Sequence, residues 1–447
     1  MTVANPAALP RELPGGLVLR RATTTDTEAL VALNASLHHW PQLPPNPPVG
    51  TWTRDLLRGS HPTTGPGDFL VVEETTTGRL VSTLCLITQT WSYDGIPFTA
   101  GQPELVGTIP EFRQRGLIRE LFSTIHAWGA ARGELMQGIG GIPWYYRQFG
   151  YEPAIEFGAG RVGPVARVPA LPPGATEPYT VRPATEADIP LLRRLHDAGR
   201  ARNRLAAVRD EAAWRYELTG HHLGSAVARL FCVIERADGT PVGLVGYQPI
   251  LWQGTGLVVT AYELVAGESW LAATPSVLRA LHEIGERLIA PDATQPLDSL
   301  ICLLATQHPA YAVASHWLPE LRPAYAWYVR VPDFPALIRQ VAPALERRLA
   351  ASPLAGHTGE VRISWYRDGL RLAFDAGRLV AAERWQPTVD EGGDCAFPDR
   401  TFVQLFCGHR SFAELAHAFV DVWASDAARV LLQALFPPAP SEVWGLA

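Results

Sequence analysis

Cysteine is scarce and scattered. Cys85, Cys232, Cys302, Cys395 and Cys407 are odd in number and never fall into a C-x-x-C spacing, which argues against a disulfide framework and against a zinc site. They are expected as reduced, mostly buried thiols in a cytoplasmic protein. H-E-x-x-H, G-x-S-x-G and phosphate-loop patterns are all missing, so hydrolase and NTP-driven readings lose their simplest support. The histidines are dispersed, and the adjacent pairs His38-His39 and His221-His222 would point apart on a helix, so no metal ligand set is expected. Positive charge is not in excess: a net charge of -6 and a pI near 6.1 give no general reason to seek nucleic acid or an anionic membrane, and suit a cationic substrate. The charge-free run from Gly239 to Tyr262 contains five glycines, two prolines and two glutamines. It reads as strands joined by turns, not as a membrane span. The N-terminus, MTVANPAALPRELPGG, lacks the basic start and apolar core of a signal peptide and reads as a loose leader.

What is present is organised around residues 103 to 122, PELVGTIPEFRQRGLIRELF. Leu105 and Val106 suit a buried strand, Pro110 ends it, and Arg113-Gln114-Arg115-Gly116 makes a basic glycine turn. Ile118, Leu121, Phe122, Ile125 and Trp128 then recur at helical spacing, with Arg119, Glu120, Ser123 and Thr124 facing away. A helix that starts at such a turn aims free N–H groups and its positive end at an anion.

A chain of 447 residues has room for about three domains, and two of them are one unit written twice. LVLRRATTTDTEALVAL (17 to 33) and YTVRPATEADIPLLRRL (179 to 195) align at an offset of 162, so that Arg20, Thr23, Asp26 and Leu30 fall on Arg182, Thr185, Asp188 and Leu192. Thr-x-x-Asp is a helix-start signature in both. The register continues through FLVVEETTTGRLVS and FCVIERADGTPVG to Glu104-Leu105-Val106 and Glu263-Leu264-Val265. The join, RVGPVARVPALPPGATEPY, has the Pro/Gly content of a linker. At the glycine turn the copies part: Arg113, Arg115 and Gly116 lie opposite Ala273, Pro275 and Ser276. The second copy keeps the helix and loses the anion grip, which makes the first a functional feature and the second a scaffold or pocket wall. The expected domains are 1–165, 178–325 and 327–447. In the last, residues 361 to 385 alternate as an antiparallel meander turning at Asp368-Gly369 and Asp375-Ala376-Gly377, with helical segments at 334 to 350 and 411 to 435. The whole is expected as an α/β (α+β) protein.

GAGRVG, Gly158 to Gly163, matches a dinucleotide fingerprint, but Pro164 follows and no helix opens, so it is not read as one. GIPWYYRQFGYEPA, 141 to 154, is dense in aromatics; Tyr145, Phe149 and Tyr151 read as core.

The strand ending ELVGTIP, the turn RQRGLI, its helix and the later YYRQFGYEPA together resemble the GNAT superfamily of acetyl-CoA-dependent N-acetyltransferases. More narrowly, the chain resembles the enhanced-intracellular-survival (Eis) type. That resemblance implies an active GNAT domain, a degenerate GNAT-like domain and a sterol-carrier-protein-like C-terminal domain. The superfamily signature Gln/Arg-x-x-Gly-x-Gly/Ala is matched by Arg113 and Gly116, while Ile118 stands where a small residue is usual; Eis-type proteins carry Leu or Ile there. The resemblance implies that acetyl-CoA is held by Arg113, Gln114, Arg115, Gly116, Leu117, Ile118 and Arg119 at its pyrophosphate. Val106, Gly107 and Thr108 would pair with the pantetheine arm, and Gly141 and Ile142 would lie nearby. It further implies Tyr146 as general acid toward the thiolate, Ala447 as base through the terminal carboxylate, and a homo-oligomer, often a hexamer. The acceptor would be a cationic primary amine: a small polyamine, an aminoglycoside-like molecule or a lysine. The alternative is a non-catalytic protein that binds an apolar ligand in the sterol-carrier-like domain. An open cleft reaching Tyr146 with the C-terminus turned inward would favour the enzyme.

Overall fold

A computed structural model describes residues 8–38, 45–291, 294–388 and 391–445. Strands buried mostly in continuous runs in the first two sheets, and in alternation in the third, build three mixed sheets among these residues. The first has nine strands. Along its path run Arg11–Leu13, Leu17–Arg21, Phe69–Glu74, Leu80–Tyr93, Ile96–Thr108, Met136–Ile139, Tyr325–Arg330 and Glu152–Phe157, with Leu205–Ala207 pairing to Leu80–Tyr93. The second has seven: Glu320–Arg322, Gly160–Pro164, Ser299–Cys302, Gly256–Leu264, Pro241–Tyr247, Leu230–Arg236 and Tyr179–Pro183. The two sheets exchange strands. Gly160–Pro164 leaves the first unit to pair with Ser299–Cys302, while Tyr325–Arg330 returns to pair with both Met136–Ile139 and Glu152–Phe157. That exchange places the far end of the second unit beside the site described below.

The repeated helix starts are repeated in atomic detail. Thr23 and Asp26 form a capping box, as do Thr185 and Asp188. Arg20 bridges Asp26 at 2.8 Å and Glu73, and Arg182 bridges Asp188 at 2.8 Å and Glu235. The copies differ at the turn. In the second, the helix Trp270–Leu288 starts at Ser269 and already includes Ala273, Pro275 and Ser276. Its Ser276 and Arg279 hold the linker carboxylate of Glu177, so the chain's own anion sits where the first copy keeps an open turn.

The third sheet runs Arg378–Trp385, Gly369–Asp375, Gly359–Ser364, Cys395–Ala396 and Trp423–Ala424. It is backed by the helix Phe334–Ala350, whose Leu337, Ile338, Val341 and Leu345 are buried. That core is continuous with Trp91, Phe98 and Trp327 of the first sheet. The expected helical stretch 411 to 435 is two helices, Phe412–Ala418 and Asp426–Leu435, broken by the short strand Trp423–Ala424.

Two expectations need correction. The leader is not loose throughout: Arg11–Leu13 is an edge strand on Leu17–Leu19, tied down by Arg11 to Glu120 at 2.9 Å. Thr124 does not face solvent; it is buried, its hydroxyl donating to the Glu120 carbonyl at 2.9 Å and accepting from Arg11. All five cysteines are buried and unpaired. Gly160 and Gly163 of the fingerprint-like string sit in a strand, where a Cβ would stand 1.9 Å from the Cys302 carbonyl and 2.2 Å from that of Trp317. Close strand packing, not a nucleotide, explains them. Among the described residues no helix is long and apolar enough to cross a membrane.

Candidate active site

The site begins as a defect in the strand Ile96–Thr108. Its ladder with Leu80–Tyr93 pairs Thr83 with Gly107 and Cys85 with Glu104, so Leu105 and Val106 together oppose Leu84. Leu105 takes a left-handed φ of 54° to do so. Such a bulge bends the strand and re-aims its side chains. On the other edge, parallel pairing with Met136–Ile139 holds at Ala100↔Met136 and Gly101↔Gln137 and goes no further. Beyond that point the two strands part; the Thr108 carbonyl accepts from Arg113 Nε at 3.1 Å, and the other backbone groups of Val106 to Thr108 on this edge are left for a partner to satisfy.

The gap opens onto the glycine turn. Gln114 (φ 63°) and Gly116 (φ 78°) are both left-handed, and the helix Leu117–Ala131 starts directly after them. The amides of Gln114, Arg115, Gly116, Leu117 and Ile118 have no acceptor among the described residues; the first bonds of the helix are from Arg119 and Glu120 to the Gly116 carbonyl. Five free N–H groups at a helix start make an anion cradle. Together the gap and the turn form a cleft of about 640 Å³. Val106, Gly107, Thr108, Arg113, Gln114, Gly116, Leu117, Ile118, Arg119, Ile142 and Tyr146 all line it. Arg115 does not: its guanidinium lies over the Phe112 ring at 4.5 Å. Gly141 stands just behind, and a Cβ there would meet the Tyr146 hydroxyl at 3.5 Å.

Tyr146 sits in the one-turn helix Tyr145–Phe149, entered through left-handed Trp144 and left through Gly150. Phe122, Tyr145 and Tyr328 wall its ring, leaving it 5% exposed. Its hydroxyl has no hydrogen-bond partner among the described residues. Burial, and then the neighbouring Glu104, raise its pKa, so the phenol keeps its proton. Tyr145 and Phe149, expected as core, are half-buried and line the cleft, while Tyr151 is fully buried.

Behind Tyr146 lies a second cavity, about 440 Å³, lined by Gln102, Glu104, Tyr325 and the tail residues Trp444 and Gly445. Burial pushes the Glu104 carboxyl up to about 7, opposed by hydrogen bonds from Gln102 and the Leu105 amide. A directional relay feeds it: Trp91 Nε1 donates to Gln89 Oε1 at 3.3 Å, Gln89 to Gln102, and Gln102 Nε2 to Glu104 Oε1 at 2.7 Å. Since an indole can only donate, the relay orients both amides and ends on the carboxylate as acceptor. No cation pairs with Glu104 among the described residues. Its counterpart in the second copy, Glu263, is gripped by Arg202 at 3.0 Å. Sequence comparison aligned these two carboxylates without assigning either a role; the missing cation is what separates them, and only folding reveals it.

The tail is pulled inward. Arg204 donates to the Pro437 carbonyl at 2.8 Å, Glu442 pairs with Leu205, Arg209 donates to the Trp444 carbonyl at 2.8 Å, and Arg229 to that of Gly445 at 3.0 Å. Arg209 and Arg229 share the buried carboxylate of Glu217, and the Glu442 carboxylate of the tail lies near enough to Arg209 to act on its charge. A Cβ at Gly445 would stand 2.0 Å from Gln102 Oε1. Ala447, the expected base, lies outside the described residues.

A free amide cradle, a parted strand pair and a protonated phenol are the parts an acyl-CoA transferase needs, and residues 19–154 match the model of the acetyltransferase (GNAT) domain. The chain carries a GNAT acetyltransferase domain. As in such domains generally, an acyl-CoA supplies the acyl group and an amine accepts it. No curated protein sequence matches the chain. Among solved structures, a probable N-acyltransferase of Enterococcus faecalis V583 is similar over 96% of this chain and 99% of its own at 14% identity, with a TM-score of 0.65. A GCN5-related N-acetyltransferase of Kribbella flavida is similar over the same shares at 20% identity and 0.60, as is Eis1 of Mycobacterium abscessus at 17% and 0.55. Likeness at these identities concerns the fold, and it extends well beyond the GNAT domain to nearly the whole chain.

Proposed function

We propose that the protein transfers an acetyl group from acetyl-CoA to a cationic primary amine by direct attack. The carrying observation is the position of Tyr146, whose protonated, unbonded hydroxyl faces the turn cleft while the uncompensated carboxylate of Glu104 waits behind it. The pyrophosphate would rest on the amides from Gln114 to Ile118, near Arg113 and Arg119. Val106, Gly107 and Thr108 would bond the pantetheine arm as an added strand, with Ile142 and Gly141 closing the opposite side. Arg115, turned onto Phe112, would contribute its backbone amide alone. The acceptor ammonium enters the cavity that holds Glu104. Glu104 removes one proton so that the nitrogen lone pair can attack the carbonyl carbon; as the carbon–sulfur bond breaks, Tyr146 gives its proton to sulfur, and the excess proton still on the acylated nitrogen leaves to restore the Tyr146 phenol. An acid and a base with separated pKa values on the two sides of one reacting carbonyl is the arrangement this chemistry uses.

A second reading gives the base role to the terminal carboxylate of Ala447, since the tail reaches the same cavity at Gly445 beside two guanidiniums. Either base keeps the reaction class. The open cleft beside Arg113 and the inward tail support an enzyme over a non-catalytic binder of apolar ligands. The whole-chain likeness to Eis1 supports the Eis type, with domains 1–165, 178–325 and 327–447, the last sterol-carrier-like, and with a cytoplasmic homo-oligomer, often a hexamer in that type. The cavity lining supports this acceptor class: Glu104 and the partly aromatic wall of Trp52, Tyr325, Trp327 and Trp444, which stand there with Arg229 and Arg322, suit an alkylammonium.

The test is a panel of polyamines, aminoglycosides and lysine peptides with acetyl-CoA and thiol detection, run on wild type, on Tyr146→Phe and on a variant lacking the last four residues. Wild type should release thiol with at least one amine. Tyr146→Phe should lose about 100-fold in kcat while acetyl-CoA binding, read by calorimetry, stays within about twofold. Unchanged turnover in Tyr146→Phe removes the acid assignment; unchanged turnover in the truncated variant removes Ala447 as base and leaves Glu104.

A further inference from the structure

The turn cleft does not end at the helix start. Arg119, Gln148 and Phe149 also wall a larger cleft, about 1050 Å³, between the helix Leu117–Ala131 and the third sheet. The helix leads into it along one stripe, Arg119, Phe122, Ser123 and His126. From Gly116 to Ser123 the helix rises about 10 Å, on the order of a nucleotide's length.

The cleft collects five guanidiniums, Arg119, Arg330, Arg367, Arg384 and Arg400, against three carboxylates, Asp333, Asp368 and Asp399. The side chain of Arg330, half-buried at the end of its strand, makes no hydrogen bond or ion pair among the described residues; the charges of Glu134 and Arg400 act on it in opposite senses, and Arg330 Nε and Arg400 Nε stand 3.5 and 3.8 Å from the point a Gly150 Cβ would occupy. Arg119 and Arg367 are exposed and likewise unpaired among the described residues. The carboxylates in the wall are mostly engaged. Asp399 is held by Arg147 at 3.1 Å and Arg400 at 2.9 Å, and Asp333 caps the helix Phe334–Ala350 while approaching Arg384. Asp368 alone stays free beside Arg367. A half-buried guanidinium without a direct partner favours an anion beside it. Flat faces complete the cleft: Phe149, Tyr366 and Trp365, whose buried Nε1 lacks a partner. Aromatic planes interleaved with guanidiniums are the chemistry that receives a base and its phosphate.

We propose that this cleft holds the 3′-phosphoadenosine end of the acyl-CoA, with Arg330 and Arg367 on the 3′-phosphate, so that the third unit completes the cofactor site of the first. The inference rests on the reading of the glycine turn as the pyrophosphate cradle. It gives the third unit a role in which a turn of its own sheet, 365 to 368, meets the far end of the cofactor.

The test is calorimetric binding of CoA and of 3′-dephospho-CoA to the full chain and to Arg367→Gln, an exposed turn substitution that leaves the fold intact, with Arg330→Gln as the second variant. Wild type should bind CoA about tenfold or more tighter than 3′-dephospho-CoA, the effect of losing charge-assisted hydrogen bonds. In each variant the preference should fall to within about twofold, with 3′-dephospho-CoA affinity unchanged. Equal binding of the two ligands by wild type, or a variant that weakens both alike, overturns the inference and leaves the pyrophosphate reading standing. Failure of both ligands to bind wild type overturns the pyrophosphate reading and this one with it.

Discussion

Replacing Glu104 by Gln separates function from stability at one position. A carboxyl raised from an ordinary 4.5 to about 7 by burial corresponds to about 3 kcal/mol of preference for the protonated form. Because the group lines a cavity that water can enter, about 1 to 3 kcal/mol is the expected range. The sign follows from linkage. Below pH 4.5 the carboxyl is protonated in both the folded and the unfolded chain and contributes nothing. Between 4.5 and 7 the unfolded chain releases the proton while the folded one retains it, so stability falls as pH rises, and above 7 the full cost remains. Gln keeps the acceptor that Gln102 Nε2 bonds and never ionises. Glu104→Gln should therefore unfold at a higher temperature than wild type at pH 8, by a few degrees, and at the same temperature near pH 4.5. Its kcat/KM should lose the acid limb that wild type shows with a midpoint near 7, together with about 100-fold or more of its value at pH 8. Differential scanning calorimetry at the two pH values and a pH–rate profile with the best amine of the panel measure both. A variant that melts earlier than wild type at pH 8 would refute the burial argument; one that keeps the acid limb would refute Glu104 as base.

Gly445→Ala inserts a methyl where Gln102 Oε1 is 2.0 Å away, so the tail or the amide relay must move; kcat/KM should fall about tenfold or more while the melting temperature, set mainly by the cores, changes by a degree or two. Asp26 is held down to about 2 by its bonds to Arg20, against desolvation. Its contribution is present above the ordinary 3.8 and lost as pH falls through 2, so Asp26→Asn should lower stability by about 1 to 2 kcal/mol at neutral pH, with the difference from wild type closing toward pH 2 in acid-unfolding curves.

The glycine turn, the helix after it and the meander at 361 to 385 were legible because local spacing determines them: a left-handed Gly116, an apolar stripe at helical period, alternation broken by Asp-Gly turns. The tyrosine later placed at the cleft was legible through family resemblance. What could not be read were the parts made by long-range contact. Nothing local announces that Tyr325–Arg330 inserts between Met136–Ile139 and Glu152–Phe157, because that strand's partners lie far back in the chain and a crossing costs only loop closure. Arg11–Leu13 looked like leader for the same reason: three residues carry no periodicity, and their strand exists through pairing with Leu17–Leu19. The side chain of Arg115 could not be placed either, because a sequence shows that a charge is near a turn but not that Phe112 offers it a ring to lie on.

The duplication carries the argument furthest, because it holds fold constant while varying chemistry. At the helix start, the second copy has wound the turn into helix and filled the place with Glu177 on Ser276 and Arg279. At the strand carboxylate, it has set Arg202 on Glu263. Each change neutralises a group that the first copy leaves bare, the five amides in one case and Glu104 in the other. Bare buried charge and bare amides are destabilising, and a copy free of function sheds them with single compensating partners. In one copy the amides keep no acceptor and Glu104 keeps no cation, while Tyr146 lines the cleft of the amides and feels the charge of Glu104. Loss of compensation at one point could be accident; at the two points that the proposed pyrophosphate and ammonium would separately need, it supports the proposal that the reaction takes place there.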